Sequence, residues 1–227
     1  MMTEPLSTLR LLQHADSFFP SGAVAFSYGL ETLQAESRLA GAAGLECFVR
    51  EQLVHRWRTF DWGILASAWS ADGDPTRLAE YDRLTECMTL PAELRAGSKR
   101  AGAALLTVHT ELGTAGVEAF AAAVERGDTP GHLTVVQGCA WRGAGMTLEQ
   151  SALASVHSLV TAMLGAAVRL SVIGHLSAQR VRLAVEADLQ AVVSVPPPDI
   201  DDLHSYTPEA DIAVMRHQHA HSRLFSS

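Results

Sequence analysis

The chain has 227 residues, which suits one domain and is enough to bury a large core without disulfide or metal staples. Its three cysteines (Cys47, Cys87, Cys139) form no CxxC pair, so a disulfide framework or zinc knuckle is not expected, and reduced thiols in a cytoplasmic protein are. A formal net charge of −8, with sixteen Arg and the single Lys99, argues against a nucleic-acid partner.

Met1 to Pro5 shows no basic stretch leading into an apolar core, so no signal peptide is expected. Pro5 suits a first helical position, and Leu6, Leu9, Leu12 and Ala15 recur three apart, predicting a short helix that stops near Asp16. The next stretch, Ala15 to Glu31, is apolar but punctuated by Pro20, Gly22 and Gly29. It reads as a buried turn with Phe18, Phe19 and Phe26 as core anchors, followed by a helix from Phe26 or Ser27 to Leu39. From Leu45, apolar residues at Phe48, Val49, Leu53, Trp57, Phe60, Ile64, Leu65 and Ala68 mark one face of a long α-helix. Asp72 to Pro75 is a turn and helix start, with Leu78, Tyr81, Thr85 and Met88 following on one face. Pro91 starts another helix, in which Gly97 and Gly102 suggest close helix–helix contact. Residues 116–126 form a short Ala-rich helix; Leu133, Val135 and Val136 fit strand or helix equally.

Thr147-x-x-Gln150 is a capping box opening the most apolar helix, which is expected at the centre of the domain. His157 and Arg169 within the hydrophobic run 152–173 make a membrane span costly, so no membrane partner is expected. A last core helix covers about 177–195, and Pro196-Pro197-Pro198 stops it. Beyond lie an acidic stretch, a small helix from Thr207-Pro208, and a terminus with little core of its own, either frayed or docked on something. The fold class that follows is all-α: a single-domain bundle of about eight to ten helices around a central apolar helix, with a flexible C-terminal tail. Residues 1–195 form the core domain and 196–227 a Pro/Asp-rich hinge and docking tail.

Three features carry possible chemistry. Ala25-Phe26-Ser27-Tyr28-Gly29 looks like a nucleophile elbow with its first Gly replaced, but an elbow needs a strand before it and a parallel sheet, and neither is predicted. A small serine hydrolase using Ser27 is therefore the weaker alternative. His217, His219 and His221 are a sequence-local metal candidate; as a helix, His217 and His221 share a face, and as a strand all three do. Neutral imidazoles at this spacing can bind Ni2+, Cu2+ or Zn2+; with the resemblance given below, a direct nickel-binding chaperone through this trio is the other alternative. Arg169 interrupts an apolar helix, so it is either ion-paired or at a partner interface.

Three separated stretches together resemble the UreF family of urease accessory proteins. They are Asp16 to Gly22 with Ser27-Tyr28-Gly29-Leu30-Glu31; Ala166 to Leu170 with Gly174, Gln179 and Arg180; and Met215-Arg216-His217 with Ser222-Arg223-Leu224-Phe225. Glu93-Leu94-Arg95 is a shorter echo. Gly22-Ala23 departs from the family's common Gly-Gly, and Ser226 stands where a basic residue is common. The resemblance implies an all-α, dimeric accessory protein without a catalytic centre or tightly bound cofactor. It implies binding to a UreD/UreH-type protein and recruitment and regulation of a UreG-type GTPase, with nickel handled by the complex and delivered to apo-urease. The implied partner-binding residues are Arg216, His217, Ser222, Arg223, Leu224, Phe225, Arg169, Gln179 and Arg180. Pro20, Gly22, Ser27, Gly29, Glu31 and Gly174 are the implied structural signature. In this reading Gly22→Val or Gly29→Val damages folding or docking.

Overall fold

The computed structural model describes residues 5–16, 18–20, 26–218 and 224–225. These residues are helical with no strand among them. In chain order the helices are α1 (Pro5–Ala15), α2 (Leu30–Ala35), α3 (Gly41–Gln52), a π-helical segment (Leu53–Asp61), α4 (Trp62–Ser70), α5 (Pro75–Met88), α6 (Ala92–Glu111), α7 (Glu118–Glu125), α8 (Leu133–Gly143), α9 (Leu148–Arg169), α10 (His175–Ala184), α11 (Glu186–Val193), a 3-10 turn (Ile200–Asp202) and α12 (Pro208–His217).

Helix α9 is the hub, touching α1, α2, α3, α4, α8, α10 and α11. Its start follows from the capping box: Gln150 N–H donates to Thr147 Oγ1 at 3.1 Å, and Thr147 N–H to Gln150 Oε1 at 2.9 Å. Helix α9 is long and apolar enough to cross a membrane by length and composition, but 67% of its most apolar window is buried inside the chain. Asp74 caps α5, accepting from the Thr76 N–H at 2.9 Å ahead of Pro75. One apolar cluster gathers α9 with α2, α3, α11 and α12; a second joins α4, α6 and α8. In the second, Gly138 lets α8 lie on α4: a Cβ there would come within 2.6 Å of the Leu65 carbonyl oxygen.

Several elements differ from the sequence expectation, each for a local reason. The helix 41–70 runs unbroken but widens to π geometry over Leu53–Asp61. Helix α2 is shorter than 26–39 because Tyr28 and Gly29 both have positive φ (54° and 90°), so the chain turns before Leu30. The helix expected over 177–195 is divided at Val185 into α10 and α11. Gly97 and Gly102 do mark close approaches, but to the Phe26 ring and the Gly131 carbonyl. The leucine stripe of α1 faces outward: Leu6, Leu9 and Leu12 are exposed, while His14 is buried and Leu11 packs on the core. Phe19 and Phe26 are core residues as expected, but Phe18 is 92% exposed. Asp16 explains the difference. Its side chain accepts from the Phe18 N–H at 2.9 Å and its carbonyl from the Phe19 N–H at 3.0 Å, a turn that sends adjacent side chains opposite ways.

Candidate functional site

Pro208 fixes the first turn of α12, and the helix then places Ala210, Ala213, Val214 and His217 on one buried face with i, i+3, i+4, i+7 spacing. That face lies on α2 and α6. Gly29 makes the approach possible. Its φ of 90° is left-handed, and a Cβ there would sit 3.0 Å from the Ala210 carbonyl oxygen and 3.1 Å from Ala213 Cβ.

At the end of this face His217 meets two glutamates. Its Nδ1 lies 2.8 Å from Glu93 Oε2 and its Nε2 3.0 Å from Glu31 Oε2. The imidazole is 1% exposed and both carboxylates are largely covered. Each ring nitrogen thus has a carboxylate oxygen within hydrogen-bond distance. In this arrangement His217 offers no free ring nitrogen to a metal ion.

Glu31 is also the anchor for the chain terminus. Its Oε1 accepts from the Leu224 N–H at 2.7 Å and its Oε2 from the Phe225 N–H at 3.1 Å. Phe225 is buried in the cluster around α9, and the Arg169 guanidinium carbon lies 4.3 Å from its ring centroid. A cation over an aromatic face contributes on the order of 0.5–1 kcal/mol at a partly exposed site. Around the rim, Arg216 bonds both oxygens of Glu36 at 3.1–3.2 Å, and Arg38 bonds Glu209 at 2.8 Å.

Of the sequence-predicted residues, Gly29, Glu31, Arg169, His217 and Phe225 thus meet in one cluster, with Arg216 on its rim and Leu224 exposed beside it. Gly174 caps α10 on which Gln179 and Arg180 are exposed, and the three stand outside the cluster. Pro20 is exposed. Ser27 is fully buried, and its carbonyl accepts from the Leu30 N–H at 3.0 Å; no strand precedes it among the described residues, so the elbow setting is missing. Gly22, His219, His221, Ser222 and Arg223 lie outside the described residues. Among the described residues no group of three or more His, Cys, Asp or Glu has a metal-holding arrangement.

Sequence reasoning noted Glu93 only as a short echo and missed its bond to His217. It also missed Asp82, a fully buried carboxylate that accepts from the Gly131 N–H at 2.6 Å, the His132 N–H at 2.7 Å and Thr129 Oγ1 at 2.6 Å, holding the turn that leads into α8. A lone acidic residue among Leu78, Tyr81 and Thr85 was the available signal.

The cluster binds the last helix and the terminus to the body of the domain, leaving Ile212, Met215 and Leu224 exposed around it. A UreF family model matches residues 39–186 of the chain. The chain is 31% identical over 228 residues to the urease accessory protein UreF of Trichodesmium erythraeum, covering 96% of each. It is 32% identical over 229 residues to that of Xanthobacter autotrophicus, covering 98% of this chain and 92% of the relative. The figure for Agrobacterium fabrum is 31% over 220 residues, with 96% of each covered.

Proposed function

The chain belongs to the UreF family of urease accessory proteins, and from that premise we propose that it is a scaffold for nickel insertion into apo-urease. It binds a UreD/UreH-type protein, and with it recruits and regulates a UreG-type GTPase in the cytoplasm. Nickel is the cargo of that assembly, not a resident cofactor of this chain. The observation that carries the reading is the convergence of Glu31, Glu93, Arg169, His217 and Phe225 from four distant stretches onto one cluster. The residues are spent on holding a surface in place, with Ile212, Met215 and Leu224 as its exposed apolar spots, and burying them against a partner is favourable at about 25 cal/mol per Å2.

The test is capture of the UreD/UreH-type partner by purified chain. Deleting α12 would also remove core residues Ala210, Ala213 and Val214, so surface changes are cleaner. Ile212→Asp and Leu224→Asp leave the fold intact by circular dichroism and weaken capture at least tenfold. Unchanged capture by both would refute docking at this face.

A second surface supports the homodimer. Helices α1, α9 and α11 border an apolar groove of about 720 Å3 lined by Leu11, Leu12, Leu153, Val156 and Leu189, continuous with the outward leucine stripe of α1. A contiguous exposed apolar surface marks an interaction site. A second copy of the chain is the proposed occupant, and Leu12→Asp with Leu153→Asp should shift sedimentation from dimer to monomer.

A further inference from the structure

Tyr28 lies one residue before the Gly29 contact, yet its side chain serves a different place. It lines a cavity of about 80 Å3 among the π-helical segment, α6, α8 and α9. Two charged residues of the π segment face this cavity, Arg56 and Asp61, whose side chains are only 13% and 14% exposed. Nε of Arg56 is 3.5 Å from Oδ2 of Asp61, an ion-pair contact too long for a good hydrogen bond. Neither makes a hydrogen bond to another described residue, and the same holds for the Tyr28, Thr134, Gln137 and Ser158 side chains on the cavity wall. Beyond the Arg56–Asp61 pair, these side chains turn hydrogen-bonding groups toward one cavity, so a small polar ligand entering it meets two opposite charges and four further polar groups. The backbone agrees: π geometry aligns i with i+5, which brings Arg56 beside Asp61, and π segments concentrate at functional sites.

Size and charge narrow the ligand. A water needs about 10–15 Å3 of such volume, so 80 Å3 corresponds to roughly five to eight non-hydrogen atoms. Asp211 on α12 also lies in the field of Arg56, so the site is not a basic pocket for a simple anion. Burial pushes the Asp61 carboxyl up while Arg56 pulls it down, so a cationic group beside it relieves the desolvation. Burial, with Asp61 adding to it, also pushes the Tyr28 phenol up to about 12, which keeps it a hydrogen-bond donor at neutral pH. We propose that this cavity binds a small zwitterion of the α-amino-acid class, with its carboxylate on Arg56, its ammonium on Asp61, and the hydroxyls and the Gln137 amide completing the hydrogen bonds of both ends. This property lies beyond the accessory role and does not depend on it.

The experiment is calorimetric and thermal-shift titration of the full chain with glycine and L-serine. Ethanolamine (ammonium only), glycolate (carboxylate only) and acetamide (neutral) are the size-matched controls. Saturable binding of a zwitterion, at least tenfold tighter than any control, is the expected result. Arg56→Gln and Asp61→Asn each weaken it tenfold or more. Gln137→Leu keeps both charges and guards against misfolding of those variants, and it should weaken binding several-fold. Ligand-induced amide shifts should centre on Thr134 and Gln137. Absence of saturable binding, equal binding of acetamide or of a singly charged control, or shifts centred elsewhere would overturn the proposal.

Discussion

Two buried histidine sites fasten the two ends of this chain, and they do it by opposite means. At the C-terminal end, both nitrogens of His217 bond carboxylates, Glu31 and Glu93. At the N-terminal end, His14 of α1 stacks on His109 of α6, ring centroids 5.2 Å apart and planes 15° from parallel, with Phe19 4.7 Å from His14. Each of these rings bonds one neutral oxygen through Nδ1, the Arg10 carbonyl at 2.8 Å and Thr114 Oγ1 at 2.9 Å. Neither Nε2 has a hydrogen-bond partner among the described residues. Burial lowers the pKa of both, that of His109 to about 4 with His14 adding to the effect. The same side chain is therefore a fastener between two carboxylates where they converge on it and a neutral aromatic spacer where none does. Burial alone does not decide the role; the partners that the fold delivers do.

The largest expected effect breaks the carboxylate-bound member of the pair. His217→Ala leaves Glu31 and Glu93 facing each other without the group between them. Removing one partner of a buried pair costs about 3–5 kcal/mol, and the remaining exposure of both carboxylates points to the lower figure. Urea unfolding at pH 7.5 measures it. Glu93→Gln keeps an acceptor and should cost about 1–2 kcal/mol. A His217→Ala loss under about 1 kcal/mol would remove the distinction between the two sites.

The neutral member is next, through pH. The unfolded chain protonates His109 near 6.5, the folded chain only near 4. Stability from this group is therefore complete above pH 6.5 and declines as pH falls toward about 4, by roughly 3 kcal/mol at most. Other groups titrate in the same window, so the check is a difference. His109→Phe should flatten the dependence of unfolding free energy on pH by about one proton relative to the unaltered chain. Equal slopes would mean that His109 is not held neutral.

How much of this was legible in the sequence depends on how local the cause is. The capping box at Thr147 and Gln150, the Asp74 cap, the Pro208 start and the apolar run of α9 are local signals, and the structure follows them. Glu31 and Phe225 were singled out through family resemblance, Arg169 also as a charge within an apolar helix and His217 also as a metal candidate, and none through a visible reason for them to meet. Glu93 shows why: it is 124 residues from His217, and nothing in its neighbourhood distinguishes it from a solvated helix-start glutamate. Arg56 and Asp61 were missed for a different reason. Five residues apart, they fall about 140° apart on an α-helix, and only the π widening aligns them. The leucines of α1 have sound helical spacing, but spacing does not say whether a stripe faces its own core or another molecule.

Two signature glycines sharpen the C-terminal half of the comparison, because one carries α12 and the other does not. Gly29 combines a φ of 90° with the Ala210 carbonyl 3.0 Å from any added Cβ. Gly29→Val should cost about 2–3 kcal/mol, the usual scale for a strained left-handed residue plus a displaced neighbour. Gly174, at an ordinary negative φ with nothing within 4 Å of an added Cβ, should tolerate Ala at about 1 kcal/mol or less, the cost of a poorer helix cap. Denaturation midpoints of the two variants test this, and equal losses would mean that the close packing of α12 on Gly29 does not matter.

The smallest expected effect is the most discriminating for the N-terminal site. If His14 is an aromatic spacer, Phe replaces it well: the stack on His109 and Phe19 is kept, and an unpartnered buried Nε2 is removed. Against that stands the lost bond from Nδ1 to the Arg10 carbonyl. Each of these opposing changes is worth about 1 kcal/mol, so His14→Phe should leave stability at pH 7.5 within roughly 1 kcal/mol of the unaltered chain. From pH 7.5 to pH 5 the variant should gain stability relative to the unaltered chain, because the unfolded chain loses a proton-binding site whose folded-state pKa is lowered. A loss above about 2 kcal/mol at pH 7.5 would show that the polar ring of His14, and not its shape, holds α1 in place, and the two ends of the chain would then be fastened by the same means.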